Sequence, residues 1–144
     1  VNPPLSAETI ATIKATAPAL QAHGLAITTR MYERLFEDPS IKQLFDQAAQ
    51  ASGEQPKRLA AAILAFAQNV DQLGKIDGAV TAICERHVIT HVRPEHYQSV
   101  ARALLPAIKE VLGNAATDEI LEAWGQAYWY LARIMIEREA RMGG

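Results

Sequence analysis

Apolar residues recur every three or four positions along nearly the whole chain, and no segment alternates cleanly between apolar and polar. The first pattern is that of amphipathic helices; the second is what a half-buried strand would need. The stripes can be read off directly. One is Ile76, Val80, Ile83, Cys84, His87, and another is Leu25, Thr28, Tyr32, Leu35, Phe36. A third runs Gln55, Leu59, Ala62, Phe66, Val70, Leu73, and a fourth Tyr97, Ala101, Leu104, Ile108, Val111. The last is Leu121, Trp124, Tyr128, Leu131, Met135, Glu139. Each stripe carries a polar group toward the interior: His87, Tyr32, Gln55, Tyr97 and Glu139. Buried polar groups need partners. So many on separate stripes point to a buried polar guest that contains a metal.

Local signals place the helix ends. Ser6 is an N-cap for a first helix to about Gln21, and Gly24 separates it from a second that ends near Phe36. Asp38-Pro39 breaks the chain and starts a short helical turn toward Phe45, and residues 46–53 read as a loop. Ser52-Gly53 opens a long helix to about Leu73, with Pro56 tolerated in its first turn. Gly74 and Gly78 bracket the connection into the His87 helix, which must stop before Pro94 because the residue preceding a proline avoids the α region. Val88 to Val92 is rich in β-branched residues but fits a corner better than a strand. Pro94 suits the first turn of a helix to about Leu112, Gly113-Asn114 stops it, and Thr117 caps the last helix, with Asp118 and Glu119 near its positive end. The expectation is an all-α chain of six longer helices and one or two short turns around one core. A four-helix bundle and a globin both accommodate it. An isolated histidine on a short helix after a long one favours the globin.

The 144 residues are enough for one domain, 1–144, with a core of its own. Net charge is -2 and no basic run exists, which makes nucleic acid and anionic membranes poor partners. One cysteine allows no internal disulfide. The start, Val1-Asn2-Pro3-Pro4, shows no signal peptide, and no apolar run approaches the roughly 20 residues of a membrane span. A cytoplasmic protein is expected.

Each inward polar residue has a purely structural alternative. His87 could be a core histidine that donates to a carbonyl one turn back, or an axial ligand of a haem iron, a usual role of neutral imidazole. Zinc held by His87, His91 and His96 is disfavoured: Pro94 interrupts the helix, there is no HExxH, and Cys84 has no partner cysteine. Tyr32 and Gln55 could donate to a bound, partly anionic ligand. Against that, Tyr32 could serve a backbone carbonyl, and Ser52-x-x-Gln55 has the form of a capping box, which ranks Tyr32 above Gln55 for ligand contact. Tyr97 and Glu139 could support His87 from behind, since a ligating histidine donates its other N–H to an acceptor. They could equally be a surface-seeking phenol and a carboxylate in a frayed last turn.

The residues resemble those of single-domain bacterial haemoglobins, which are similar to the globin domain of flavohaemoglobins. The resemblance runs from Ile10 to about Glu139. It is carried by Thr28-Thr29-Arg30-Met31-Tyr32-Glu33-Arg34-Leu35-Phe36, Leu44-Phe45-Asp46, Glu54-Gln55-Pro56-Lys57, Arg86-His87, His96-Tyr97 and Ala123-Trp124-Gly125-Gln126-Ala127-Tyr128, in that order. It implies His87 as the proximal ligand of haem b, Phe45 packed on the haem face, and Tyr32 as the distal hydrogen-bond donor to O2. It implies Gln55 and Leu59 facing the ligand, and Tyr97 and Glu139 as the proximal pair behind peroxidase-like character. Arg86 stands where flavohaemoglobins usually have a lysine.

The function implied is reversible O2 binding by an oxygen carrier or store. The alternative is an NO dioxygenase that turns NO into nitrate with a separate flavin reductase, since no reductase module is expected within 144 residues. The implied ligands are O2, NO and CO, and a homodimer is compatible with the resemblance. A haem-free signalling bundle is the remaining class; His87 argues against it, because such a bundle has no use for an axial ligand.

Overall fold

In the computed structural model, residues 5–43 and 53–143 are described. Among them there is no strand. The α-helices are α1 (Ala7–Ala15), α2 (Ala17–Leu35), α3 (Pro39–Lys42), α4 (Glu54–Gln68), α5 (Asp77–Ile89), α6 (Pro94–Leu112) and α7 (Asp118–Gly143). Short 3-10 turns cover Leu73–Ile76 and Gly113–Ala115. Among the described residues, six longer helices and one short one match the expected all-α inventory. α2 packs on α4 and α6, α1 lies on α7, and α5 and α6 both lie on α7.

Most ends follow the local chemistry. Ser6 accepts from the Thr9 N–H at 3.1 Å, Asp38 from the Ser40 N–H at 2.9 Å, and Thr117 from the Ile120 N–H at 3.3 Å. Caps of this kind are each worth about 1 kcal/mol. Pro94 opens α6, and Gly113 closes it with a φ of 59° that a glycine adopts at little cost.

The first boundary falls elsewhere than expected. The break between α1 and α2 is at Thr16, not Gly24. Thr16 is buried, its hydroxyl donates to the Ile13 carbonyl at 2.6 Å, and it accepts from Trp124 Nε1 at 3.2 Å. Pro18 then sits in the first turn of α2, where a missing N–H costs nothing. Gly24 lies inside α2, facing α4: a Cβ on Gly24 would stand 3.5 Å from the Ala60 Cβ, an ordinary contact, so the position does not demand glycine. Leu25, placed on the inward stripe of α2, is 44% exposed, and Leu20, Ile27 and Met31 take the interior instead. α4 ends at Gln68 rather than near Leu73, which belongs to the 3-10 turn. The N-cap of α4 is Gly53, so Gln55 is the second helical residue and not the third, where a capping box would need it. Ser52, Phe45 and the 46–52 part of the expected loop lie outside the described residues.

The interior has two parts. The larger joins α1, α2, α4, α6 and α7 around Ile13, Leu20, Ile27, Met31, Phe66, Leu104 and Trp124. The smaller lies between α5, α6 and α7 and holds Val80, Cys84, Tyr97, Ala132 and Met135. Each large apolar side chain so buried contributes about 1.5–3 kcal/mol. Tyr128 and Leu131 pack against both parts. Among the described residues no helix is long and apolar enough to cross a membrane.

Candidate functional site

His87 is in the last turn of α5, and two sequence-distant residues converge on one of its nitrogens. His87 Nδ1 is 2.9 Å from Glu139 Oε2 and 3.0 Å from the Tyr97 hydroxyl. Tyr97 in turn donates to the same Glu139 oxygen at 2.6 Å. The proton inventory settles the tautomer. The Tyr97 proton is taken by Glu139, and an ionised carboxylate has none to give, so Nδ1 must carry the hydrogen that both oxygens accept. In the neutral imidazole Nε2 then keeps its lone pair. The carbonyl one turn back, a possible partner for a purely structural histidine, is not the one used.

The backbone holds His87 as well. His91 has a φ of 62°, and the chain doubles back there so that His91 N–H donates to the Val88 carbonyl and Val92 N–H to the His87 carbonyl, at 3.2 and 2.9 Å. This is a Schellman-type helix end with histidine in the position glycine usually takes. It makes the 88–92 stretch a corner, as expected. It also separates the histidines: His91 is exposed, and His96 Nδ1 accepts the Arg93 N–H at 2.9 Å. Among the described residues no group of three or more His, Cys, Asp or Glu side chains is placed to hold a metal ion.

Glu139 is 9% exposed, Tyr97 7%, and the His87 side chain 29%. The imidazole therefore has a buried end, at Nδ1, and an open one. Burial, followed by the hydrogen bond to Glu139 and its charge, raises the Tyr97 phenol far above its ordinary value. It stays a neutral donor. Two supports were not singled out from sequence. Tyr128 donates to the Tyr97 carbonyl at 2.5 Å, and burial raises its phenol too. Cys84 is fully buried one turn before His87, and its thiol is pushed up to about 11, mainly by burial and then by Glu139. Tyr128 already lay on the Glu139 stripe and Cys84 on the His87 stripe, and that position is the signal that turns them inward.

The second group lies where α2 meets α4. Tyr32 is 6% exposed, stacks at a tilt on Phe36 with centroids 5.5 Å apart, and is hydrogen-bonded to Gln55. Burial pushes its phenol up to about 12, against smaller pulls downward from the Arg58 charge and the Gln55 hydrogen bond. Leu59, one turn beyond Gln55, is half-buried against the larger core. The structure thus assembles His87 with Tyr97 and Glu139, and Tyr32 with Gln55.

The family profile described as Globin matches residues 29–135. A flavohemoprotein of Xylella fastidiosa is 53% identical over 135 residues, which cover 94% of this chain and 34% of the relative. The chain therefore spans about a third of the length of that relative. A bacterial globin from Campylobacter jejuni superposes with a TM-score of 0.89 at 38% identity, covering 95% of this chain and 98% of the other. A presumed nitric oxide dioxygenase from Rhodothermus marinus, engineered as a carbene transferase, also reaches 0.89, at 37% identity, covering 96% of this chain and 95% of that one.

Proposed function

The chain belongs to the globin family, and on that footing we propose that it binds haem b through His87 and takes up O2 reversibly as a carrier or store. The carrying observation is the set of partners of His87: Nδ1 is occupied by Glu139 and Tyr97, so Nε2 is the nitrogen that a neutral ring keeps for a ligand. This donor chemistry fits a haem iron, whose proximal histidine keeps one nitrogen for a hydrogen-bond acceptor and gives the other to the metal. Bound haem would supply a ferrous iron that accepts a diatomic ligand.

The chain's own groups would then act as follows. Glu139 and Tyr97 fix the ring orientation of His87, and the carboxylate makes its imidazole more electron-rich. That is the basis for peroxidase-like character. Tyr32 and Gln55 supply a hydroxyl and an amide that donate to a partly negative ligand. Leu59 limits water beside them. Phe45 is assigned to the haem face by resemblance alone.

The similarity to the Rhodothermus marinus protein favours a second reading on the same site: NO dioxygenation with electrons from a separate flavin reductase. The absorption spectrum of the purified chain, ferric and then dithionite-reduced with and without CO, tests the haem reading; no Soret band after loading would end it, as would an unchanged spectrum in His87→Ala. The O2-loaded chain is then mixed with NO. The carrier reading expects one stoichiometric oxidation and no turnover with NADH alone. Turnover on adding a flavin reductase would move the assignment to the second reading.

A further inference from the structure

α2 and α4 meet along three successive rungs. At the first, the close approach of Gly24 to Ala60 sets the spacing. At the second, the Thr28 hydroxyl donates to the Pro56 carbonyl at 2.8 Å. At the third, Tyr32 and Gln55 are hydrogen-bonded. The α2 residues step by four, about 6 Å of helical rise each time, while their partners run backwards along α4.

The middle rung is the unusual one. Thr28 has no exposed surface, and its other acceptor, the Leu25 carbonyl, is farther away at 3.2 Å. A valine would fill the same space without burying a hydroxyl, which is unfavourable unless the hydroxyl is hydrogen-bonded. This hydroxyl is used on a carbonyl in the first turn of α4, next in sequence to Gln55. The start of that helix has no capping side chain: its N-cap is Gly53, with a φ of 78°. The first bond of its ladder, Lys57 N–H to the Gly53 carbonyl, is 3.3 Å long.

We propose that Thr28 is a positioning residue for the distal pair: its hydroxyl holds the Pro56 carbonyl and so fixes where Gln55 stands beside the Tyr32 phenol. The idea rests on the reading that Tyr32 and Gln55 face a haem ligand. Thr28 acts through α4. Without its hydroxyl the first turn of α4 is tied to α2 only through the Gln55 side chain itself, and Gln55 drifts while Tyr32 stays with its own helix and Phe36.

The test compares Thr28→Val and Thr28→Ser with Gln55→Leu in the haem-loaded chain, reading the C–O stretching band of the ferrous CO form and the O2 dissociation rate. Thr28→Val should shift and broaden the band as Gln55→Leu does and speed O2 release about threefold to tenfold. Combined with Gln55→Leu it should add little. Thr28→Ser, which keeps the hydroxyl, should restore the wild-type band. If Thr28→Val does not fold, Thr28→Cys, a weaker donor of similar size, should fall between the two. A Thr28→Val chain that melts earlier but keeps the wild-type band and off-rate overturns the proposal. Amide hydrogen exchange at Lys57 and Arg58 in the haem-free chain gives a readout that needs no haem. It should quicken severalfold in Thr28→Val and not in Thr28→Ser, and equal rates would refute the positioning role. Failure to load haem would count against the functional reading and leave the exchange result standing.

Discussion

Tyr97 gives its hydroxyl hydrogen to Glu139, 42 residues further along the chain, at 2.6 Å. Because His87 shares that oxygen, the phenol competes with the imidazole for the carboxylate's charge. Glu139→Gln should therefore raise the iron reduction potential and lower the iron–histidine stretching frequency. Tyr97→Phe should move both the other way. A differential of roughly 1.5–3 kcal/mol for a hydrogen bond to a charged group corresponds to about 65–130 mV for a one-electron couple. Potentiometry and resonance Raman spectra check this. Unchanged values in both variants with haem still bound would mean that the carboxylate does not act on the iron.

Tyr32 should contribute more to ligand retention than Gln55. The phenol is almost wholly buried and stays protonated far into the alkaline range. Tyr32→Phe should speed O2 release about tenfold or more, on the basis of roughly 1.5–3 kcal/mol for a hydrogen bond with charged character. Stopped-flow off-rates for Tyr32→Phe and Gln55→Leu decide the order; a larger effect from Gln55→Leu reverses it.

Stability should fall on the alkaline side. A phenol whose folded-state value is raised binds its proton more tightly when folded, so its contribution is fully present below the unfolded value near 10. It is lost as pH rises from there toward the folded value of about 12 for Tyr32. Tyr97 and Tyr128 shift in the same direction. Urea unfolding at pH 9, 10.5 and 11.5 should show a steep decline that is shallower in Tyr32→Phe. A flat profile across that window would contradict the burial described for these phenols.

Gly24→Ala should stabilise the chain by up to about 1 kcal/mol, since alanine is the better helix residue. The new methyl would meet Ala60 at an ordinary 3.5 Å, beside an apolar cavity of about 10 Å³ bounded by Leu20, Ile27, Ala60 and Trp124. Gly24→Leu exceeds that space and should destabilise by about 1–3 kcal/mol. Denaturant melts of the two variants measure both signs, and a destabilised Gly24→Ala would mean that the helices approach more closely than described.

What could be read from the sequence divides along the range of the forces. Ser6, Pro94, Gly113 and Thr117 mark helix ends through bonds to residues a few positions away, and the structure puts the ends there. Gly24 misled because its weak helix preference is a local property, whereas the helix that contains it is held by packing against α4 and α6, far along the chain. Leu25 misled because a stripe of five residues tolerates a rotation that only the packing partner fixes. Periodicity turned Glu139, Tyr97 and His87 inward on three separate helices. It carried no information that they would meet on one nitrogen, which is a fact about how α5, α6 and α7 cross.

That crossing has a consequence for synthesis. The bond from His87 to Glu139 spans 52 residues. At 5–20 residues per second, the histidine is added to the chain roughly 3–10 s before its carboxylate exists. During that interval either ring nitrogen can carry the proton. Only the arrival of the last helix selects Nδ1 for the carboxylate and leaves Nε2 as the nitrogen available to a ligand.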